Sequence, residues 1–211
     1  MIKIFITDDH PLIREGLKKT LLAEEDFQIV GEASDGSELL KKIPDLEFDI
    51  LLLDLNMPGK NGLDVIKEIK QIYPKTHVLV LSMYPLHRFA VRALKTGAAG
   101  YITKDESTEE LIKAIRTIVS RGRYISIELA ELLANEFGSS KDSLPHESLS
   151  DREFQIMGMI TTGKSVKEIA EELCLNISTV NTYHARILEK MNMKSNVELT
   201  LYAIENNLID I

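Results

Sequence analysis

The chain has 211 residues, 44% of them hydrophobic and none of them Trp, which suits one large domain or, better, two small ones. A formal net charge of -8 excludes a generally basic nucleic-acid coat, and the single cysteine, Cys174 in EELCL, excludes an internal disulfide and is expected to be a small buried hydrophobe. No apolar run approaches the roughly 18 to 20 residues that cross a bilayer, and the start MIKIFITDDH lacks the basic stretch and cleavage site of a signal peptide, so the protein is expected in the cytoplasm, away from membranes.

Strands are predicted at 2–7, 27–31, 48–53, 77–82 and 100–103, alternating with segments of helical period. Continuous apolar runs such as ILLL and VLVL indicate strands buried on both faces, while EGLKKTLL, LDVIKEIK and EELIKAIRTIV carry apolar residues at three- and four-residue spacing. Pro11 opens the first helix, Asn61-Gly62 precedes the third, and Ser107 with Glu110 forms a capping box for the fifth. The pattern predicts an α/β fold: a doubly wound, flavodoxin-like, five-stranded parallel sheet of order 2-1-3-4-5.

Four polar groups follow these strands directly. Asp8-Asp9, Asp54, Ser82 and Lys104 stand after IKIFIT, FDILLL, HVLVL and GYIT, so they share the crevice at the carboxyl ends of the strands. Three carboxylates within a few ångströms raise one another's pKa and call for a cation. Mg2+, which keeps its waters and takes one or two carboxylates, suits such a loose cup; Asp8, Asp9, Asp54 and the backbone carbonyl of Asn56 are the predicted ligands. Asp54, alone before a turn with Pro58 and Gly59, is the predicted nucleophile toward a phosphoryl group. Ser82 and Lys104 supply a hydroxyl and a cation to the phosphoryl oxygens.

The motifs DDH at 8–10, DLNMPGKNG at 54–62, LSM at 81–83 and GYITKD at 100–105 make residues 1–122 similar to the receiver domain of two-component response regulators. The resemblance implies that a sensor histidine kinase phosphorylates Asp54. It also implies that Tyr101 is a switch aromatic, turning inward when Ser82 moves onto the phosphoryl group. Met83 and Asp105 depart from the family's usual small residue and Pro, which predicts a narrower entrance at Met83 and leaves the Lys104-Asp105 peptide geometry open.

Residues 123–148 read as a linker: a short helical stretch with Leu129, Leu132, Leu133 and Phe137, then the tether-like GSSKDS. Residues 149–211 read as a smaller all-α domain of four helices. Ser150/Glu153, Ser165/Glu168 and Ser195/Glu198 are capping boxes, and Asn176 is a further N-cap. The middle pair forms a helix-turn-helix. On its second helix, Val180, His184, Ile187, Leu188 and Met191 fall inward, while Asn181, Thr182, Ala185, Arg186 and Glu189 fall outward, toward a major groove. Arg reads guanine, Asn adenine, and Thr a methyl or hydroxyl neighbour; Lys164, Lys167, Lys190 and Lys194 are assigned to phosphates. The domain carries six Lys and Arg against nine Asp and Glu, so one copy binds weakly and a homodimer on paired half-sites of double-stranded DNA is expected.

LSDREFQIM, GKSVKEIAEEL and STVNTYHARILEKMNMKSNVEL are similar to the LuxR-type helix-turn-helix, and both domains together resemble the NarL/FixJ response regulators. The resemblance places Lys167, Asn181, Thr182 and Ala185 at DNA-contacting positions, with Asn181 where a lysine is frequent, and makes RNA polymerase a candidate partner. Two other functions remain open at this point. An aspartyl-phosphate phosphatase would need a general acid near Asp54, where Asn56 offers an amide and His10 reads as a polar loop residue; such a site supports slow self-hydrolysis rather than enzymatic turnover. The other is a receiver that serves only for protein docking.

Overall fold

A computed structural model describes residues 1–138, 144–206 and 208–209, apart from the side chains of 135–138. The chain divides into two compact units, Met1–Ala134 and Asn135–Ile211. In the first, β1 (Ile2–Thr7), β2 (Phe27–Ala33), β3 (Ile50–Asp54), β4 (His77–Ser82) and β5 (Gly100–Thr103) alternate with α1 (Pro11–Leu21), α2 (Gly36–Lys42), α3 (Gly62–Ile72), α4 (Leu86–Thr96) and α5 (Thr108–Arg121). The strands are parallel, in the expected order β2-β1-β3-β4-β5.

Every residue of β3 is buried, with Ile50, Leu51, Leu52 and Leu53 fully so, and each such side chain contributes about 1.5–3 kcal/mol. Asn61 Oδ1 accepts the Leu63 amide at 2.8 Å to start α3, and Ser107 caps α5 through the Glu110 amide.

Two strands differ from their predicted bounds. β2 continues past Gly31, where the sequence reading stopped it at a residue that weakens strands. The register slips between Ile4 and Phe5, leaving Val30 as an extra residue, and a Cβ on Gly31 would stand 2.5 Å from the Phe5 ring. The glycine is there for the ring to pass. β3 begins two residues later than predicted and includes Asp54.

Within the stretch read as a linker, Tyr124 is buried in the first unit's core and its amide donates to the Ala99 carbonyl at 2.8 Å. A helix, α6 (Ile127–Gly138), follows, with Ser126 Oγ accepting the Leu129 amide and Leu129 fully buried. Residues 139–143 of the tether-like run and the Phe137 side chain lie outside the described residues.

The second unit holds α7 (Asp151–Thr161), α8 (Val166–Glu172), α9 (Ile177–Met191) and α10 (Asn196–Glu205), preceded by a 3-10 turn at Pro145–Ser148. α8 and α9 are the expected helix-turn-helix. The boxes at Ser150/Glu153 and Ser165/Glu168 are complete. The third is half made: Ser195 accepts the Glu198 amide, but Glu198 Oε2 reaches back to the Lys194 amide instead. Asn176 occupies its N-cap position without a side-chain cap bond. Cys174 is exposed rather than buried and has φ 50°, because it sits in the tight turn between α8 and α9 and not on a packed face.

Candidate functional site

Register assembles the crevice. Thr7 pairs with Leu53, Asp54 with Leu81, and Ser82 with Thr103. Each polar residue therefore emerges beside the next at the carboxyl ends of adjacent strands. Gly62 permits α3 to begin there, since a Cβ on it would meet the Leu55 backbone at 2.6 Å and the Asp54 carbonyl oxygen at 3.0 Å.

Asp8 and Asp54 are each 1% exposed. The Lys104 ammonium bridges them, at 2.6 Å from Asp8 Oδ2 and 2.6 Å from Asp54 Oδ2. The other oxygen of each carboxylate accepts a backbone amide: His10 N to Asp8 Oδ1 at 2.8 Å and Asn56 N to Asp54 Oδ1 at 2.9 Å. Arg14 Nη1 donates to the Asp8 carbonyl at 2.6 Å, fixing the strand end against α1.

Burial pushes the Asp54 carboxyl above the usual carboxylate range, against the opposing pull of Lys104. For Lys104, burial favours loss of the proton, but the charge and hydrogen bonds of Asp54 and Asp8 outweigh it and hold the ammonium above its ordinary pKa. A lysine locked in its charged form beside the carboxylate is the arrangement that receives an anionic group.

Ligand atoms of Asp8, Asp9, His10 and Asp54 lie within 4.8 Å of one another, and Asn56 Oδ1 is buried with no donor beside it. Three carboxylates form a hard oxygen set that fits a divalent cation. His10 belongs to this cluster, with Nδ1 2.7 Å from Asp9 Oδ1; reading it as an ordinary loop residue missed this, although its place beside Asp8-Asp9 was the available signal.

Ser82 is fully buried, and its Oγ accepts the Tyr84 amide at 3.1 Å. The Tyr101 hydroxyl donates to the Tyr84 carbonyl at 2.8 Å, with its ring 1% exposed; burial pushes the phenol well above its usual range. Tyr84 is thus held on both sides, and Tyr101 is already inward while Ser82 still holds the Tyr84 amide. Met83, next to Ser82, is 66% exposed. The described residues contain no cis peptide bond, so the Lys104-Asp105 peptide is trans.

On α9, Val180, Ile187 and Met191 are buried and Asn181, Thr182, Ala185, Arg186 and Glu189 are exposed, as predicted. Leu188 and His184 are half-buried, and His184 Nε2 stands 2.6 Å from Asn196 Oδ1. A hollow of about 290 Å³ on this face is lined by Ser178, Thr179, Thr182, Tyr183 and Arg186. Ser178, Thr179 and Tyr183 were not singled out, although 178, 182 and 186 form one row at four-residue spacing. The Thr182 hydroxyl donates to the Ser178 carbonyl at 2.9 Å, leaving it an acceptor and a methyl for a base.

The lysines separate into two groups. Lys190 Nζ is 2.6 Å from Glu153 Oε2, whose carboxylate is 4% exposed, and Lys164 is paired with Glu172. Each of these two ammonium groups has a carboxylate partner within the domain. For Glu153, burial alone would raise the pKa, but Lys190 and the Ser150 bonds reverse it. Lys167 lies a loose 3.9 Å from Glu171. Lys194 and Arg186 have no carboxylate within 4.0 Å among the described residues.

Residues 4–116 match the model of the response regulator receiver domain, and residues 147–203 match that of bacterial regulatory proteins of the luxR family. The response regulator GacA of Pseudomonas aeruginosa is 39% identical over 211 residues, covering all of this chain and 99% of that protein. The oxygen regulatory protein NreC of Staphylococcus epidermidis is 37% identical over 217 residues, covering 99% and 100%. Among solved structures, RcsB from Salmonella enterica serovar Typhimurium bound to promoter P1flhDC in the presence of phosphomimetic BeF3- superposes with a TM-score of 0.67, at 26% identity over 95% of this chain and 97% of that one.

Proposed function

Because the chain belongs to the two-component response regulators that join a receiver domain to a LuxR-type DNA-binding domain, transcriptional regulators and not enzymes, we propose that phosphorylation of Asp54 by a sensor histidine kinase controls its dimerisation and promoter binding in the cytoplasm. Residues 1–122 are the phosphoacceptor domain in this reading, 149–211 the DNA reader, and 123–148 the segment that joins them. The observation that carries it is the Lys104 ammonium bridging Asp8 and Asp54 inside a buried acid cluster.

Asp54 Oδ1 is fixed by the Asn56 amide, leaving Oδ2 to attack phosphorus in line as the bond to the donor nitrogen breaks and its electron pair leaves with the imidazole. As Oδ2 loses its negative charge, Lys104 passes from the carboxylate to a phosphoryl oxygen, so the cation is in place when charge develops there. Asp8, Asp9, Asp54 and the Asn56 carbonyl would hold Mg2+, which neutralises phosphoryl charge when bound.

The Ser82 hydroxyl, on turning to the phosphoryl group, releases the Tyr84 amide, while Tyr101 keeps its hold on the Tyr84 carbonyl. That differential contact shifts the population of the β4–α4 turn. RcsB bound to a promoter in the presence of BeF3-, and two RcsB dimers bound to two parallel DNAs, support the dimeric, DNA-bound outcome proposed for this chain; RNA polymerase is the candidate partner at the promoter.

Incubation with acetyl phosphate and Mg2+, read by intact mass, sedimentation and mobility shift on promoter DNA, tests this reading. One acid-labile phosphate should appear, be lost in Asp54→Asn or on chelation, and drive dimerisation and DNA binding. Phosphate on Asp54→Asn would move the nucleophile elsewhere, and phosphorylation without a gain in DNA binding would leave a docking receiver.

A further inference from the structure

The opposite edge of the sheet, at the amino ends of β4 and β5, carries a second feature. A cavity of about 420 Å³ opens there, lined by Lys70 near the end of α3, Lys75 and His77 at the start of β4, Gly97 and Ala99 in the α4–β5 turn, and Arg123 just after α5. That volume falls in the range of small-ligand sites. In a chain of net charge -8, its lining includes three obligate cations and a histidine and no carboxylate.

None of Lys70, Lys75 or Arg123 has a carboxylate within 4.0 Å among the described residues. Lys70 gives one bond to the Thr76 carbonyl at 2.6 Å, and an ammonium has three donors. Burial and then the charge of Arg123 lower the Lys70 pKa; burial and then Lys70 lower that of His77. Like charges therefore face one another across the space. Asp49, the carboxylate that acts on His77 in the other sense, spends Oδ2 on the Lys3 amide at 2.7 Å.

The floor is rigid. The Ala99 amide donates to the Val78 carbonyl at 2.7 Å and the Tyr124 amide to the Ala99 carbonyl at 2.8 Å, fixing the chain immediately after Arg123. Gly97, at φ 114°, places bare backbone at the rim against the Lys70 stem, where a Cβ would come within 3.1 Å.

We propose that this cavity is a binding site for a small multivalent anion, a phosphorylated metabolite carrying two or more negative charges, distinct from the Asp54 crevice. One anion relieves the mutual repulsion of Lys70, Lys75 and Arg123 together and gains charge-assisted hydrogen bonds from each. The cations converge on one surface hollow, with Lys75 and Arg123 exposed and Lys70 half-buried, which suits a compact anion that reaches all three at once.

The test is titration of the full chain, 15N-labelled and in magnesium-free buffer, with pyrophosphate as the probe, followed by amide shifts and calorimetry. Saturable one-site binding should move the amides of Gly97, Ala99 and Arg123 and leave that of Asp54 in place. Lys70→Gln/Arg123→Gln should weaken it by about tenfold or more, as expected for lost charge-assisted contacts, while Lys70→Arg/Arg123→Lys retains it and the melting curves show both variants folded. Absence of saturation by about 10 mM, far weaker than metabolite sites, would overturn the proposal. So would shifts confined to the Asp54 crevice or to α9, unchanged affinity in the Gln variant, or binding only to DNA or phosphatidylserine vesicles with none to pyrophosphate.

Discussion

Replacing Lys104 with Met keeps the length of the stem and removes only the ammonium, so it isolates the charge that holds Asp8 and Asp54 together. Both carboxylates are 1% exposed, and each has one oxygen 2.6 Å from Lys104 Nζ. Removing one partner of a buried pair costs about 3–5 kcal/mol. The carboxylates can escape part of that by taking up a proton, since burial already drives Asp54 upward. The sign follows: a carboxyl whose folded pKa lies above its unfolded value adds stability that is fully present below the unfolded pKa and is lost as pH rises through the folded pKa. The deficit of Lys104→Met relative to wild type should therefore be near 3–5 kcal/mol at neutral pH and shrink toward about 1 kcal/mol as acidification protonates the pair. Added Mg2+ should restore part of it at neutral pH by replacing the missing charge. Urea denaturation at several pH values, with and without Mg2+, gives all three. A deficit that does not change with pH would mean that the stem and not the charge supports the crevice.

Ser82→Ala removes the acceptor of the Tyr84 amide and should still take up phosphate at Asp54, yet couple it at least about tenfold less to dimerisation, a loss of roughly 1.4 kcal/mol of differential contact; sedimentation of the phosphorylated variant decides it, and dimerisation equal to wild type would remove Ser82 from the switch. Lys190→Ala leaves the buried Glu153 carboxylate without its cation and should destabilise the second unit by about 1 kcal/mol, discounted for the half-exposed ammonium, read by thermal melting. Arg186→Ala should leave the melting curve unchanged and weaken operator binding by about 1–3 kcal/mol if it reads a base; an equal loss on scrambled DNA would make it a phosphate contact.

The crevice was legible because strand ends are marked locally. Once β-prone runs end at Thr7, Leu53, Leu81 and Thr103, parallel pairing alone brings Asp8, Asp54, Ser82 and Lys104 together, and at the crevice end of β3 the observed strand adds Asp54. Tertiary choices were not legible. Gly31 reads as a strand terminator until the Phe5 ring is seen to pass over it. Cys174 reads as apolar until the α8–α9 turn is seen to present it outward. Most consequential is Lys190, assigned to phosphates from the sequence, which meets Glu153, 37 residues away in sequence, across the packing of α9 on α7. Helical period gives direction around one helix, and only packing shows which charges another helix has already engaged.

That distinction bears on why DNA binding must be coupled to association. Lys190 and Lys164 are paired to acids, and on the proposed reading Arg186, Lys167 and Lys194 are the cations more readily offered to DNA. If all three met phosphates, a single copy would show a salt slope of about -3, and a dimer about twice that. Electrostatics at that level confer weak, nonspecific affinity, whereas joining two copies converts the second contact into an intramolecular event of high effective concentration. On the proposed reading, the acid partners of Lys164 and Lys190 lower monomer affinity and leave more of the binding to dimerisation. The Lys164 pair, removable with less structural cost than the buried Glu153, tests this: Glu172→Gln should strengthen binding by the unphosphorylated monomer, steepen its salt slope by about one unit, and narrow the gain on phosphorylation. An unchanged slope would show that Lys164 does not face the phosphates even when freed.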